Sequence, residues 1–309
     1  KTIKMLHGMF AFSFYSSEEE TLYLCRDKLG IKPLYWTQKG DELFWASEIK
    51  ALREMTTIEV DHIRAMYSAI SAPEKTNNNS LFKDVVQVPP GCYLKYKLGG
   101  KPEIIKYYDL TDDVDEDYYS ELNRLNYEQM RDHLTDLLTN SIQSMLMSDV
   151  PVGSFVSGGL DSSIITVIAK EFNSGLKLFS SDVGGKYSEV QFAKQLAKET
   201  SSDISISEFN LQNFIDDLAG ITFHYETPVI THPNSLPFAK LAGLARSEGV
   251  KPVLTGEGSD ELFFGYPHAI FQKFKRKLLI PNAILRKMYF MMPRIGKQLF
   301  PADNRAMLH

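Results

Sequence analysis

The sequence predicts an α/β protein in which a doubly wound parallel sheet follows a smaller region of antiparallel strands. Three observations predict it. Two strand-like runs, residues 152–156 and 250–254, each end in a glycine-bearing loop, and an open parallel sheet carries its ligand loops at strand carboxyl ends, beside a topological switch point. Between them, apolar runs of strand and helix type alternate, the pattern of βα units. At the start of the chain, short apolar runs are separated by tight turns, which suits antiparallel pairing.

The elements follow in order. Residues 10–14 and 22–25 read as short apolar strands, Gly30 and Pro33 make a turn, and 35–46 reads as a hairpin across Gly40-Asp41. A second hairpin is expected over 85–96, around Pro89-Pro90-Gly91. In 127–147, Leu134, Leu137, Leu138, Ile142, Met145 and Leu146 recur at helical spacing and are expected in the core. Strand 152–156 leads through the first loop into an apolar helix at 164–170, then a strand at 176–182. Ser188 and Gln191 have capping-box spacing for a helix through Leu196. A strand at 204–209, a helix at 236–246 and the strand at 250–254 complete the alternation.

Composition bounds the function. The 309 residues are 43% hydrophobic and 24% charged, ordinary for a protein of two domains. A net charge of -5 gives no general attraction to nucleic acid or anionic membrane, and no apolar run approaches a membrane span. The basic, aromatic-bearing stretch 273–297 reads as a solvated helix face with its apolar residues packed inward. Cys25 and Cys92 imply no disulfide framework, so a reducing cytoplasm is the expected location, and Cys25, inside an apolar strand, reads as a packing residue. The histidines lack zinc-ligand spacing.

The first loop, Ser157-Gly158-Gly159-Leu160-Asp161-Ser162-Ser163, joins a strand to a helix. Adjacent glycines permit positive φ and close backbone approach to an anion, and the helix start adds free N–H groups and a positive dipole end. Hydroxyls of Ser157, Ser162 and Ser163 can donate to phosphate, and Asp161 can hold the Mg²⁺ that accompanies a nucleotide triphosphate. No Gly-Lys-Ser/Thr ending follows, which sets the loop apart from a Walker A sequence. A common turn with ordinary cap residues is the alternative. The second loop, Thr255-Gly256-Glu257-Gly258-Ser259-Asp260-Glu261, has three carboxylates, more than capping of a helix start needs.

The first loop resembles that of the PP-loop ATP pyrophosphatases, and with the second it resembles the synthetase domain of the asparagine synthetase family. Ser148-Asp149-Val150-Pro151-Val152-Gly153, the run from Leu254 to Phe263 and Glu226-Thr227-Pro228 carry the likeness. Gly8-Met9-Phe10-Ala11-Phe12, Arg26-Asp27-Lys28-Leu29-Gly30-Ile31-Lys32-Pro33-Leu34-Tyr35 and Ala46-Ser47-Glu48-Ile49-Lys50-Ala51-Leu52 are similar to the latter half of a class II glutamine amidotransferase domain. The resemblance implies an incomplete N-terminal nucleophile amidotransferase domain over 1–55, a connector over 56–126 and an incomplete adenine nucleotide alpha hydrolase-like domain over 127–309. It implies a piece cut at both ends, since the family's N-terminal nucleophilic cysteine and its later lysine and arginine lie outside the matching part.

By the same resemblance, ATP is bound by Val156, Ser157, Gly158, Gly159, Asp161, Ser162, Ser163, Thr255 and Gly256, with Ser181 and Val183 as candidate base contacts. Asp161 and Asp260 are the expected Mg²⁺ ligands, Glu257 joins them as a catalytic residue, and Asp27 is either a glutamine contact or a structural partner of Arg26 or Lys28. The implied activity is ATP-dependent amidation of a carboxylate through an acyl-adenylate, using ammonia from glutamine. His232 and Phe264 depart from the family's pattern near the expected acceptor pocket, which opens the acceptor to carboxylates other than aspartate, such as a uronic acid of polysaccharide precursors. A glutamine-independent cyclising ligase and a catalytically silent binding subunit stand as alternatives. Partners are small molecules, with a homodimer left open.

Overall fold

A computed structural model describes residues 2–70, 80–185, 188–209, 211–227, 234–263 and 265–266. The chain divides into two compact units, Lys1–Leu254 and Thr255–His309. No described helix is long and apolar enough to cross a membrane.

The first unit opens with two antiparallel sheets. One has the order β1-β2-β6-β7, from β1 (Ala11–Ser16), β2 (Thr21–Arg26), β6 (Cys92–Lys97) and β7 (Glu103–Lys106); the other has the order β4-β3-β5, from β3 (Tyr35–Lys39), β4 (Glu42–Ala46) and β5 (Val86–Gln87). Alternation sets the core between them. Leu22 and Leu24 of β2 share a face with Cys92, Leu94 and Tyr96 of β6 and meet Trp36, Leu43 and Trp45 of the smaller sheet. Leu24 and Leu94 are fully buried, each stabilising by roughly 2 kcal/mol relative to exposure. The opposite face of the smaller sheet, through Tyr35, Phe44 and Ala46, packs on Ile49 and Leu52 of helix α1 (Ile49–Met55).

The hairpin over 35–46 forms as expected, with Trp36 opposite Trp45. The hairpin over 85–96 does not. β5 pairs with β3 and β6 with β2, so Pro89-Pro90-Gly91 is a corner that carries the chain from one sheet to the other. Residues assigned to a connector thus supply β5, β6 and β7 to these sheets. Helices α2 (His62–Ile70) and α3 (Glu116–Leu122) also lie in that segment.

Helix α4 (Tyr127–Met145) enters the parallel part, its start closed by a reciprocal capping box between Asn126 and Gln129. Ile142 is buried, with Leu138 and Leu146 packed beside it. Leu134, Leu137 and Met145, expected in the core, lie on the outer side, Leu137 being 52% exposed. The period was right, but this helix carries apolar residues on more than one face, so spacing alone does not choose the inward stripe.

The parallel sheet has the order β10-β9-β8-β11, built from β8 (Gly153–Phe155), β9 (Lys177–Asp182), β10 (Ile204–Glu208) and β11 (Val253–Leu254). Helices α5 (Leu160–Phe172) and α6 (Val190–Glu199) cover one face with α4, through Val152, Val156, Leu178, Ala169 and Leu196. Helix α8 (Ser235–Ser247) covers the other, where Leu241 and Ala245 pack on Phe155 and Phe179. Helix α7 (Leu211–Tyr225) packs against α8 through Ile221 and Leu236. Gly153 is required by close approach, because a Cβ there would lie 2.9 Å from the Phe179 ring. From β8 the chain winds outward through β9 and β10, then returns to place β11 on the far side of β8. The switch point therefore falls between β8 and β11.

Ser188 does not cap α6. The N-cap position is Glu189, without a side-chain bond, and the Ser188 hydroxyl donates instead to Asp182 Oδ1 at 2.6 Å. That carboxylate at the end of β9 also accepts from the Gly184 amide, and the two bonds hold it below the usual carboxylate range.

Candidate nucleotide site

The loop after β8 takes its shape from one backbone reversal. Gly158 sits at φ +89°, and a Cβ there would lie 2.6 Å from Phe192 Cβ and 2.9 Å from the Ala193 amide nitrogen. Glycine is needed on both counts, conformation and the approach of α6. Gly159 has ordinary φ, -70°, and a Cβ there would meet only the Ser157 hydroxyl, at 3.1 Å. One side of the loop is thus closed by α6, and the other is open.

Gly159 is also the N-cap of α5. The Ser163 amide bonds the Gly159 carbonyl at 3.1 Å, so the turn before it lies outside the helical ladder at the positive end of the helix. The hydroxyls knit the loop together. Ser157 and Ser162 oxygens are 3.1 Å apart, Ser162 and Ser163 donate to the Gly159 carbonyl, and the Gly159 amide donates to Ser157. Beneath the loop, Ser154 of β8 and Thr166 of α5 share a buried hydrogen bond at 2.9 Å, fixing strand to helix. Neither residue was singled out by sequence, because a Ser/Thr pair twelve apart has no local signature.

Val156 is 2% exposed and works as core beneath the loop, while Asp161 lies in the first turn of α5. The β8–β9 register matches Phe155 with Phe179, and carried two residues further it sets Ser157 level with Ser181. The Ser181 hydroxyl is buried without a hydrogen-bond partner among the described residues. Such a group costs stability unless something else satisfies it, which makes Ser181 fit a ligand contact. Val183, just past β9, is 40% exposed.

The residues present fit a phosphate: an open glycine face, three hydroxyls and a helix start. For a divalent cation, no cluster of three or more His, Cys, Asp or Glu exists among the described residues.

The second unit holds Thr255, Gly256, Glu257 and Asp260. Gly258 has φ +95°, and helix α9 (Ser259–Phe263) begins directly after it, with Asp260 and Glu261 in its first turn. Glu261 accepts from Tyr266 Oη at 2.8 Å, which holds the carboxyl low and pushes the phenol up to about 12. A Cβ at Gly265 would overlap Asp260 Oδ1, so that carboxylate rests against a glycine. His232, Phe264 and the stretch 273–297 lie outside the described residues.

Asp27 is built into its own loop. It is 1% exposed, its Oδ1 accepting from the amides of Leu29 and Ile31 and its Oδ2 from those of Phe10 and Lys32, at 2.9 to 3.3 Å. These four amide bonds engage both carboxylate oxygens. Among the described residues Arg26 makes no hydrogen bond to it but feels its charge. Arg26 donates to the carbonyls of Gly30, Lys32 and Val88, and Lys28 stands over the Tyr108 ring.

Comparison with known proteins agrees with both halves. The model of the glutamine amidotransferase domain matches residues 1–108, and that of asparagine synthase matches 133–304. Asparagine synthetase [glutamine-hydrolyzing] 1 of Bacillus subtilis is 34% identical over 84% of this chain and 40% of its own length. Asparagine synthetase B of Escherichia coli is 32% identical over 84% of this chain and 44% of its own, and amidase chry2 of Gibberella zeae is 27% identical over 85% and 40%. The chain spans less than half the length of these curated relatives. With more than half of its residues inside the asparagine synthase match, the chain belongs to the asparagine synthase family.

Proposed function

We propose that the protein is an ATP-dependent, AMP-forming carbon–nitrogen ligase that amidates a carboxylate with ammonia released from glutamine. The observation that carries this reading is the loop at Gly158, shut on one side by α6 and open at Gly159, at the strand end beside the switch point. Family membership supplies the reaction class.

In this reading a carboxylate oxygen of the acceptor attacks the α-phosphorus of ATP, and the bond to pyrophosphate breaks. The first-turn amides of α5 and the hydroxyls of Ser157, Ser162 and Ser163 stabilise the departing charge, the kind of preorganised electrostatics that dominates many enzymes. These hydroxyls bond one another and the Gly159 carbonyl, so binding exchanges internal partners for phosphate. Asp161 and Asp260 would hold Mg²⁺, which when bound neutralises charge on the pyrophosphate oxygens. Thr255 and Gly256 line the nucleotide, Ser181 and Val183 meet its base, and Glu257 positions the acceptor's amine or the incoming ammonia. Ammonia then attacks the acyl carbon and AMP leaves. Aspartate, whose amidation gives the product in the relatives' names, is one acceptor we propose, and a uronic acid is the other class. Two buried, unpaired thiols suit a reducing compartment such as the cytoplasm.

The test is ATP–pyrophosphate isotope exchange by full-length protein with Mg²⁺, scanning aspartate against other acids, with an Asp161→Ala control. Exchange that requires one acid and disappears in the control supports the reading and names the acceptor. Exchange of equal rate in the control removes Asp161 from the site.

A further inference from the structure

Two runs that the nucleotide chemistry leaves unused, Glu48-Ile49-Lys50 and Glu226-Thr227, meet across the first unit. The Glu226 carboxylate accepts from the Ile49 amide through Oε2 at 2.9 Å and from the Lys50 amide through Oε1 at 2.6 Å. These are the opening amides of α1. Its own N-cap residue, Glu48, makes no side-chain cap bond, so a residue far along the chain supplies the cap. Lys50 Nζ closes the contact, 3.6 Å from Glu226 Oε1, 3.5 Å from the His224 carbonyl and above the Phe223 ring. The Glu226 side chain is only 10% exposed.

The backbone makes the choice of residue informative. Glu226 follows the last turn of α7, its amide bonded to the Thr222 carbonyl, at φ +56°. This left-handed position after a helix is ordinarily glycine's. Glutamate there is strained, and strain of this kind persists where a side chain is needed. The carboxylate is what glycine lacks.

We infer that Glu226 is a positioning residue, a latch that holds the end of α7 on the start of α1 and so ties the nucleotide sheet's helices to the antiparallel sheets, coupling glutamine hydrolysis to amide formation. The coupling role rests on the glutamine-fed reading above.

Full-length protein carrying Glu226→Gln, Glu226→Ala or Glu226→Gly tests it. Hydrogen exchange at the 49–50 amides is expected to quicken roughly tenfold in the alanine and glycine variants and less in the glutamine variant, which keeps one acceptor. Glutamine consumed per AMP released should rise in the same order. The glycine variant relieves the positive φ as it removes the carboxylate, so uncoupling in that variant with a wild-type urea midpoint separates the latch from mere stability. Unchanged exchange in the alanine variant overturns the latch, and faster exchange with a wild-type ratio in all three overturns the coupling role. A wild-type protein that forms AMP without consuming glutamine overturns the coupling role through the reading beneath it, and the exchange data distinguish that case.

Discussion

Asp27 and Arg26, adjacent in sequence, divide the labour of one loop. The carboxylate gathers four amides and the guanidinium three carbonyls, so the chain from residue 27 to 33 is held from both sides. Asp27→Asn keeps one acceptor oxygen but turns a donor toward amides that need acceptors, and should cost about 2–4 kcal/mol, read as a lower urea midpoint. An unchanged midpoint would contradict the buried network. Cys25 makes a second prediction. Burial pushes its thiol from an ordinary 9.0 up to about 11. The folded thiol keeps its proton where the unfolded one has lost it, so this contribution is intact below pH 9 and falls as pH rises toward 11. The loss is on the order of 2 kcal/mol, and it should be absent in Cys25→Ala when urea midpoints are followed against pH. The sequence revealed Cys25 as a packing residue because its neighbours are apolar. It did not reveal the direction of Asp27, since the same acid suits a ligand or a set of amides, and only the folded loop decides.

At the scale of elements, local patterns told much of the story. The strands and helices of the parallel region were readable because each apolar run is bounded by glycine, serine or a charge. Pro89-Pro90-Gly91 was readable as a turn, but whether its flanking strands pair with each other or with β3 and β2 depends on residues fifty or more positions away. Ser188 fitted a capping box, yet Asp182 competes for its hydroxyl from the strand before. The loop at Gly158 permits a sharper test. Gly158→Ala meets both positive φ and α6, and should destabilise by about 2–4 kcal/mol with loss of nucleotide binding. Gly159→Ala, facing only a rotatable hydroxyl, should cost less than about 1 kcal/mol. Thermal unfolding and nucleotide titration of the pair check this, and equal costs would mean the loop is not pinned by α6.

For the whole molecule, the two glycine loops were enough to expect a doubly wound sheet, because few architectures place such loops at strand ends. What the sequence could not display was the pairing order. The parallel pairs β8–β9 and β9–β10 join neighbours, while β11 returns to β8 across about a hundred residues, as Val253 meets Gly153. A chain emerging from the ribosome therefore finishes three strands well before the fourth exists, and β8 waits with one edge unpaired. Its brevity, three residues with a glycine, limits what that waiting edge can recruit. Pulse-labelled hydrogen exchange during refolding should find the β11 amides protected after those of β9 and β10, and simultaneous protection would show that the sheet assembles as one piece. A switch point between β8 and β11 thus means a nascent sheet that stays open on one side of β8 until β11 arrives.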